Sequence, residues 1–188
     1  MANPQDPNPR SCLILSDYPD ISLALIQRLA RPLERIAFWA GSEEEALQLA
    51  GKAVHQGAIA LPFREASCEG NPLVSPEAAE RIVRRTIEDF GRLDLVLVIV
   101  DMVRDPAFLE KLAGASAKAL RESRPLGRIL VAPCTASEEP ELFDEWSQTV
   151  DKIRASWKNR YRAAIDLVSL NPETAPENTV QTIFSALE

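Results

Sequence analysis

Few side chains in this sequence are able to do chemistry, and they lie far apart. Cys134 stands just past the apolar run 129–132, beside Thr135. At the C-terminal edge of a parallel strand, where open α/β sheets hold their ligands, such a thiol could act as a nucleophile. No histidine or activating cation neighbours it in sequence, so a small buried apolar residue is the simpler reading. The single histidine, His55, falls in a polar stretch after a helical pattern and reads as a surface residue. Glu43, Glu44 and Glu45 could ligate a cation, but acids in a first helical turn complement the helix dipole without any metal. Asp101 and Asp105 could form an acid pair, and a loop acid followed by a helix cap explains them more simply. Cys12, Cys68 and Cys134 are odd in number, widely spaced and without a C-x-x-C pair, which argues against a disulfide framework or a zinc site.

With 188 residues, 46% of them hydrophobic, the chain can bury one sizeable core, and a single domain over 11–188 is expected. Residues 1–10, with Asn3, Pro4, Pro7, Asn8 and Pro9, form an expected flexible N-terminal segment that lacks the apolar stretch of a signal peptide. No run is long enough for a membrane span. A formal net charge of −7 opposes phosphate neutralisation, so no nucleic-acid partner is expected. The cytoplasm is the expected compartment.

The elements that must position these residues alternate from end to end. Strands are predicted over 11–16, 35–40, 58–63, 95–100, 129–132 and 165–170, with helices between them. The run LVLVIV at 95–100 suits a central strand buried on both faces. Ser42 and Glu45 form an S-x-x-E box opening a helix to about Lys52. Residues 64–76 read as a loop, closed by Ser75 and Pro76 as cap and first helical residue, and that helix stops at Gly91. Asp105 and Pro106 open a helix to about Glu122. Ser137, Glu138, Glu139 and Pro140 open the longest one, to about Arg162, and Val180, Ile183, Phe184 and Leu187 stripe a terminal helix. The expected fold is a doubly wound, Rossmann-like parallel sheet of about six strands.

Within that frame FGRLDLVLV (90–98) resembles the string FGRLDVLVNNAG of the short-chain dehydrogenase/reductase family. ISLALIQRLA (21–30) is similar to that family's first helix, IGLAIARRLA, and GRILVA (127–132) to its fifth strand, GRIVNI. Leu170, Asn171 and Pro172 sit where the family has a proline after strand six, and PENTVQTIFSAL resembles its late helix. The resemblance spans nearly the whole chain. It implies a shortened member of the family, lacking the seventh strand.

Every position that carries the family's chemistry departs from its pattern. The three glycines of TGxxxGxG, which let a pyrophosphate approach backbone amides, correspond to Ser16, Asp20 and Ser22, and Asp20 adds a repelling carboxylate. Ala40 and Gly41 replace the ribose-binding acid, Arg64 stands near the adenine-contacting Asp, and NNAG becomes Val98, Ile99, Val100 and Asp101. The family's acid/base pair is YxxxK with a polarising serine. Tyr18 is followed four residues later by Ser22 and Tyr161 by Ile165, Cys134 falls near the serine, and Trp146 or its neighbours take the tyrosine's place. No catalytic, cofactor-binding or metal residue is therefore expected on this chain.

Phe143, Trp146, Val150, Ile153, Trp157 and Tyr161 recur at three-or-four spacing, and LAGASAKAL (112–120) carries small residues on more than one face. Core packing accounts for such a stripe. The resemblance adds another use, since family members dimerise through the corresponding helix pair, and it makes Leu112, Ala115, Ala119, Trp146, Val150, Ile153 and Trp157 candidate interface residues. It implies a non-catalytic subunit pairing with an active short-chain dehydrogenase in a heterotetramer, with NAD on the partner alone. A similar pairing of active and inactive subunits occurs in the 2-(α-hydroxybenzyl)succinyl-CoA dehydrogenase of anaerobic toluene degradation. The alternatives are a stand-alone binding or regulatory module for a ligand other than a dinucleotide and, less simply, an enzyme using Cys134.

Overall fold

Six apolar runs form six strands: β1 (Ser11–Ser16), β2 (Arg35–Trp39), β3 (Ile59–Phe63), β4 (Leu95–Asp101), β5 (Gly127–Cys134) and β6 (Ala163–Leu167). The computed structural model describes residues 10–123, 127–134, 140–158, 163–171 and 174–187. All five strand pairings are parallel, in the order β3-β2-β1-β4-β5-β6. The chain winds outward from β1 to β3, then crosses to β4 on the other side of β1. The β1/β4 boundary is thus the switch point, the place where open α/β sheets in general hold their ligands.

Helices α1 (Pro19–Leu29), α2 (Glu43–His55) and α7 (Pro176–Leu187) cover one face; α4 (Pro76–Phe90), α5 (Phe108–Glu122) and α6 (Pro140–Trp157) cover the other. The period-two alternation of a strand divides the apolar side chains between them. In β4, Val96, Val98 and Val100 pack with Leu112, Val150 and Trp146, while Leu97 and Ile99 pack with Leu25, Ile26 and Ile183. That double burial is why β4 reads as an unbroken apolar run.

The caps follow from side-chain chemistry. The Ser42 hydroxyl accepts the Glu45 N–H at 3.1 Å, but the Glu45 carboxylate reaches back to the Gly41 N–H at 2.8 Å and not to Ser42, so the box closes one residue early. Ser75 caps α4 through the Ala78 N–H at 3.2 Å, and Gly91 ends that helix with φ 74°. At Gly127 no side chain fits, because a Cβ would lie 2.3 Å from the Leu120 carbonyl oxygen where β5 starts against the last turn of α5.

Several expectations need correction. The segment 64–76 contains a short helix, α3 (Glu65–Cys68), because Ser67 satisfies the Arg64 N–H at 2.8 Å and Glu69 ends the turn in the left-handed region at φ 52°. Helix α5 starts at Phe108 and not at Asp105, whose carboxylate instead caps a preceding turn through the Ala107 N–H at 2.8 Å. Helix α2 runs past Lys52 to His55. Strand β5 is longer than 129–132, and β6 ends at Leu167, with Leu170 joined to Cys134 by an isolated bridge. The proposed opening of α6 at Ser137, its basic end at Arg160 and Arg162, and Thr135, Tyr161, Pro172 and Asn3 to Pro9 lie outside the described residues.

Asp94 ties the N-terminal edge of the sheet together. It accepts the Ser11 N–H at 2.8 Å, the Arg92 guanidinium at 2.6 Å and the Ser123 hydroxyl at 2.5 Å, joining β1, the approach to β4 and the end of α5. This is a structural role for the acid of FGRLD.

Candidate functional site

At the C-terminal ends of β1 and β4 the chain closes on itself. The Ser16 hydroxyl accepts the Tyr18 N–H at 3.0 Å and donates to the Tyr18 carbonyl at 3.2 Å, so the β1–α1 turn is held by a side chain where a nucleotide-binding loop needs glycine. Asp17 follows, its own N–H bound to the Ile99 carbonyl at 2.9 Å. Its carboxylate crosses the switch point to Arg104, beyond β4, and takes Nε at 2.6 Å and Nη2 at 2.5 Å, with the Asp101 N–H at 3.1 Å. This is a bidentate, charge-assisted pair. The two side chains are only 15% and 29% exposed, so the pair is largely shielded from water. The hydrogen bonds that Arg104 donates to Asp17 hold its guanidinium more firmly protonated than usual.

The expected departures take definite places around this pair. Asp20 is exposed in the first turn of α1, and Ser22 is fully buried with no protein partner for its hydroxyl among the described residues. Ala40 is buried and the Gly41 N–H is committed to Glu45, while Arg64 pairs with Glu43 at 3.1 Å in solvent. The turn amide of Tyr18 is bonded to Ser16, the nearby Arg104 cation is paired with Asp17, and Asp20 adds an exposed carboxylate to the first turn of α1.

Cys134 is 1% exposed, and burial pushes its thiol up to about 12, although its hydrogen bond with the Tyr18 hydroxyl acts the other way. Burial likewise raises Tyr18, with Cys134, Asp101 and Asp17 adding to the effect. A nucleophilic thiol or a general-base phenol needs the opposite shift. Asp101 and Asp105 do not form an acid pair; each caps its own turn, through the Val103 N–H at 3.1 Å and the Ala107 N–H at 2.8 Å. His55 is exposed at the end of α2. Among the described residues no group of three or more His, Cys, Asp or Glu could hold a metal ion, and no helix is long and apolar enough to cross a membrane.

These shifts give a testable pH dependence. Cys12, Cys68 and Cys134 are all buried with raised pKa values. The folded chain keeps protons that the unfolded chain releases above the ordinary thiol value near 9, so this stability is complete below that pH and is lost as pH rises. The denaturation midpoint is expected to fall steadily from about pH 9 upward, and a thiol reagent at about pH 8 should label the native chain slowly. A midpoint unchanged to about pH 11, or rapid labelling, would contradict this environment.

On α6, Trp146 and, one turn later, Val150 are both buried. The Trp146 indole donates Nε1–H to the Met102 carbonyl at 3.0 Å and meets Phe108 edge-on, with centroids 6.2 Å apart at 74°. Leu112, Trp146, Val150, Ile153 and Trp157 all lie in the chain's own core, so five of the seven interface candidates are explained by packing within the chain. Ala115 and Ala119 are half-buried. They line a groove of about 250 Å³ with Ile87 and Gly91 of the α4 end and with Lys118 and Glu122, so this small-residue face turns toward α4 and not toward α6.

Among solved structures, the chain superposes on an NADH-dependent reductase, A1-R′, complexed with NAD, with a TM-score of 0.72 at 12% identity, covering 95% of this chain and 89% of that one. A short-chain dehydrogenase/reductase from Serratia marcescens gives 0.66 at 15% identity, covering 85% and 73%. The fold is that of the short-chain dehydrogenases. An NAD⁺-bound xylitol dehydrogenase agrees, with 0.65 at 14% identity, covering 95% and 77%. No protein-family model matches the sequence, and neither does any curated protein.

Sequence reading missed Asp17 and Arg104. The available signal was topological: in a doubly wound sheet β1 and β4 are neighbours, so an acid just past one and a base just past the other must meet.

Proposed function

We propose that the chain is a non-catalytic subunit on the short-chain dehydrogenase scaffold, assembling with an active dehydrogenase subunit that carries NAD and performs the chemistry. The observation that supports this most strongly is the Asp17–Arg104 pair, which spans the crest of the sheet where the fold places a cofactor. The expectation that Trp146 or a neighbour takes the place of the family's tyrosine supports it further, Trp146 being buried in the chain's own core. The partner's reaction would be NAD-dependent oxidation of a hydroxyacyl-CoA-type or similar alcohol in a heterotetramer, as in the benzylsuccinate branch of toluene degradation. The surface we assign to the partner is the groove side of α5 toward α4, where Ala115 and Ala119 stand half-buried beside the exposed Gly114. Calorimetry of the isolated chain with NAD and NADP at millimolar concentration is expected to show no binding. A micromolar dissociation constant would overturn the proposal.

A further inference from the structure

The backbone that carries the donors around the Asp17 carboxylate is held in place by bonds that do not involve that carboxylate. Asp101 ends β4 in register with Cys134 of β5, and the next residue, Met102, donates its N–H to the Cys134 carbonyl at 2.9 Å. The Met102 carbonyl is fixed in turn by the Trp146 indole at 3.0 Å. Within the following turn the Arg104 N–H bonds the Asp101 carbonyl at 3.1 Å and the Val103 N–H bonds the Asp101 carboxylate at 3.1 Å. On the other side, the β1–α1 turn is closed by Ser16 and by the Asp17 N–H, not by the Asp17 carboxylate. One backbone N–H from this fixed turn and two guanidinium N–H groups carried on it therefore converge on a planar pair of oxygens.

We infer that Arg104 and the backbone N–H of Asp101 form an oxyanion receptor whose resident ligand is the chain's own Asp17 carboxylate, and which takes a small external carboxylate once that side chain is removed. A guanidinium fork matches a carboxylate in two parallel bonds. Asp101 and Tyr18 are the titratable neighbours whose charges bear on Arg104 besides Asp17. With the Asp101 carboxylate facing the same guanidinium, a monoanion is favoured over a phosphate dianion. In the intact chain the internal carboxylate occupies the receptor and neutralises it. The inference goes beyond the subunit reading and does not depend on it.

The test is chemical rescue. Asp17→Ala is titrated with sodium formate, against sodium chloride at equal ionic strength, following thermal unfolding. Formate at about ten times its dissociation constant should raise the midpoint of this variant by about 3–6 °C, the linkage shift for one site on a chain of this size. The wild type and the Asp17→Ala/Arg104→Ala double variant should not respond. If Asp17→Ala is unfolded in chloride, recovery of the native circular dichroism in formate is the required result. A formate response equal to that of the double variant, or no recovery, overturns the receptor, and a phosphate response as large as that of formate overturns its carboxylate preference. NAD binding by the wild type would defeat the subunit reading and leave this inference standing, whereas a missing formate response would do the reverse.

Discussion

Replacing Trp146 with alanine is expected to remove about 3–5 kcal/mol of stability, the range for a large aromatic side chain deleted from a packed core. Trp146 is 1% exposed and lies between Phe108 and the core shared by β4, α5 and α6. Its loss opens a cavity that these elements can fill only in part, and it strands the Met102 carbonyl, which its indole now satisfies. Against a total stability of about 5–15 kcal/mol, that takes the chain near the edge of folding. Trp146→Phe keeps most of the volume and loses the hydrogen bond, so its cost should be smaller, about 1–3 kcal/mol. Urea unfolding followed by circular dichroism measures both. A loss under about 1 kcal/mol for Trp146→Ala would show that this residue is not the core anchor described, and would return it to the candidates for a partner contact.

The second large effect is on assembly. Ala119→Glu and Ala115→Arg should each separate this chain from a co-expressed partner in sizing chromatography while leaving it folded. Both positions are half-buried on the groove side of α5, beside Gly114, where a neighbouring helix could approach the backbone closely. A long charged side chain there both fills the gap and brings an unpaired charge into a contact that excludes water, and close packing tolerates neither. Glu44→Arg, on the exposed first turn of α2, adds similar bulk to a surface with no such role and should leave assembly intact. Complexes that survive both α5 substitutions would place the contact elsewhere.

The architecture was legible because its signals are local. Unbroken apolarity marked β4, Ser75 with Pro76 and Gly91 marked both ends of α4, and the alternation of strand and helix patterns gave a parallel sheet. The aromatic stripe of α6 was legible only by half. Spacing tells which side of a helix is buried, but not whether its cover comes from the same chain; here Phe108 and β4 supply that cover. Ser16, Asp20 and Ser22 were readable one by one. The ion pair beside them was not, since Asp17 and Arg104 are 87 residues apart and meet only because β1 and β4 are adjacent. Asp94 was hidden similarly, as its partners Ser11 and Ser123 come from distant parts of the chain.

The central claim, that this chain serves as the non-catalytic half of a dehydrogenase, is tested most directly by purifying it at native expression level from its own host and identifying by mass spectrometry what elutes with it. A stoichiometric short-chain dehydrogenase with an intact TGxxxGxG turn and YxxxK pair is the expected companion. Elution of the chain alone, at the size of a monomer or homodimer, would contradict the account.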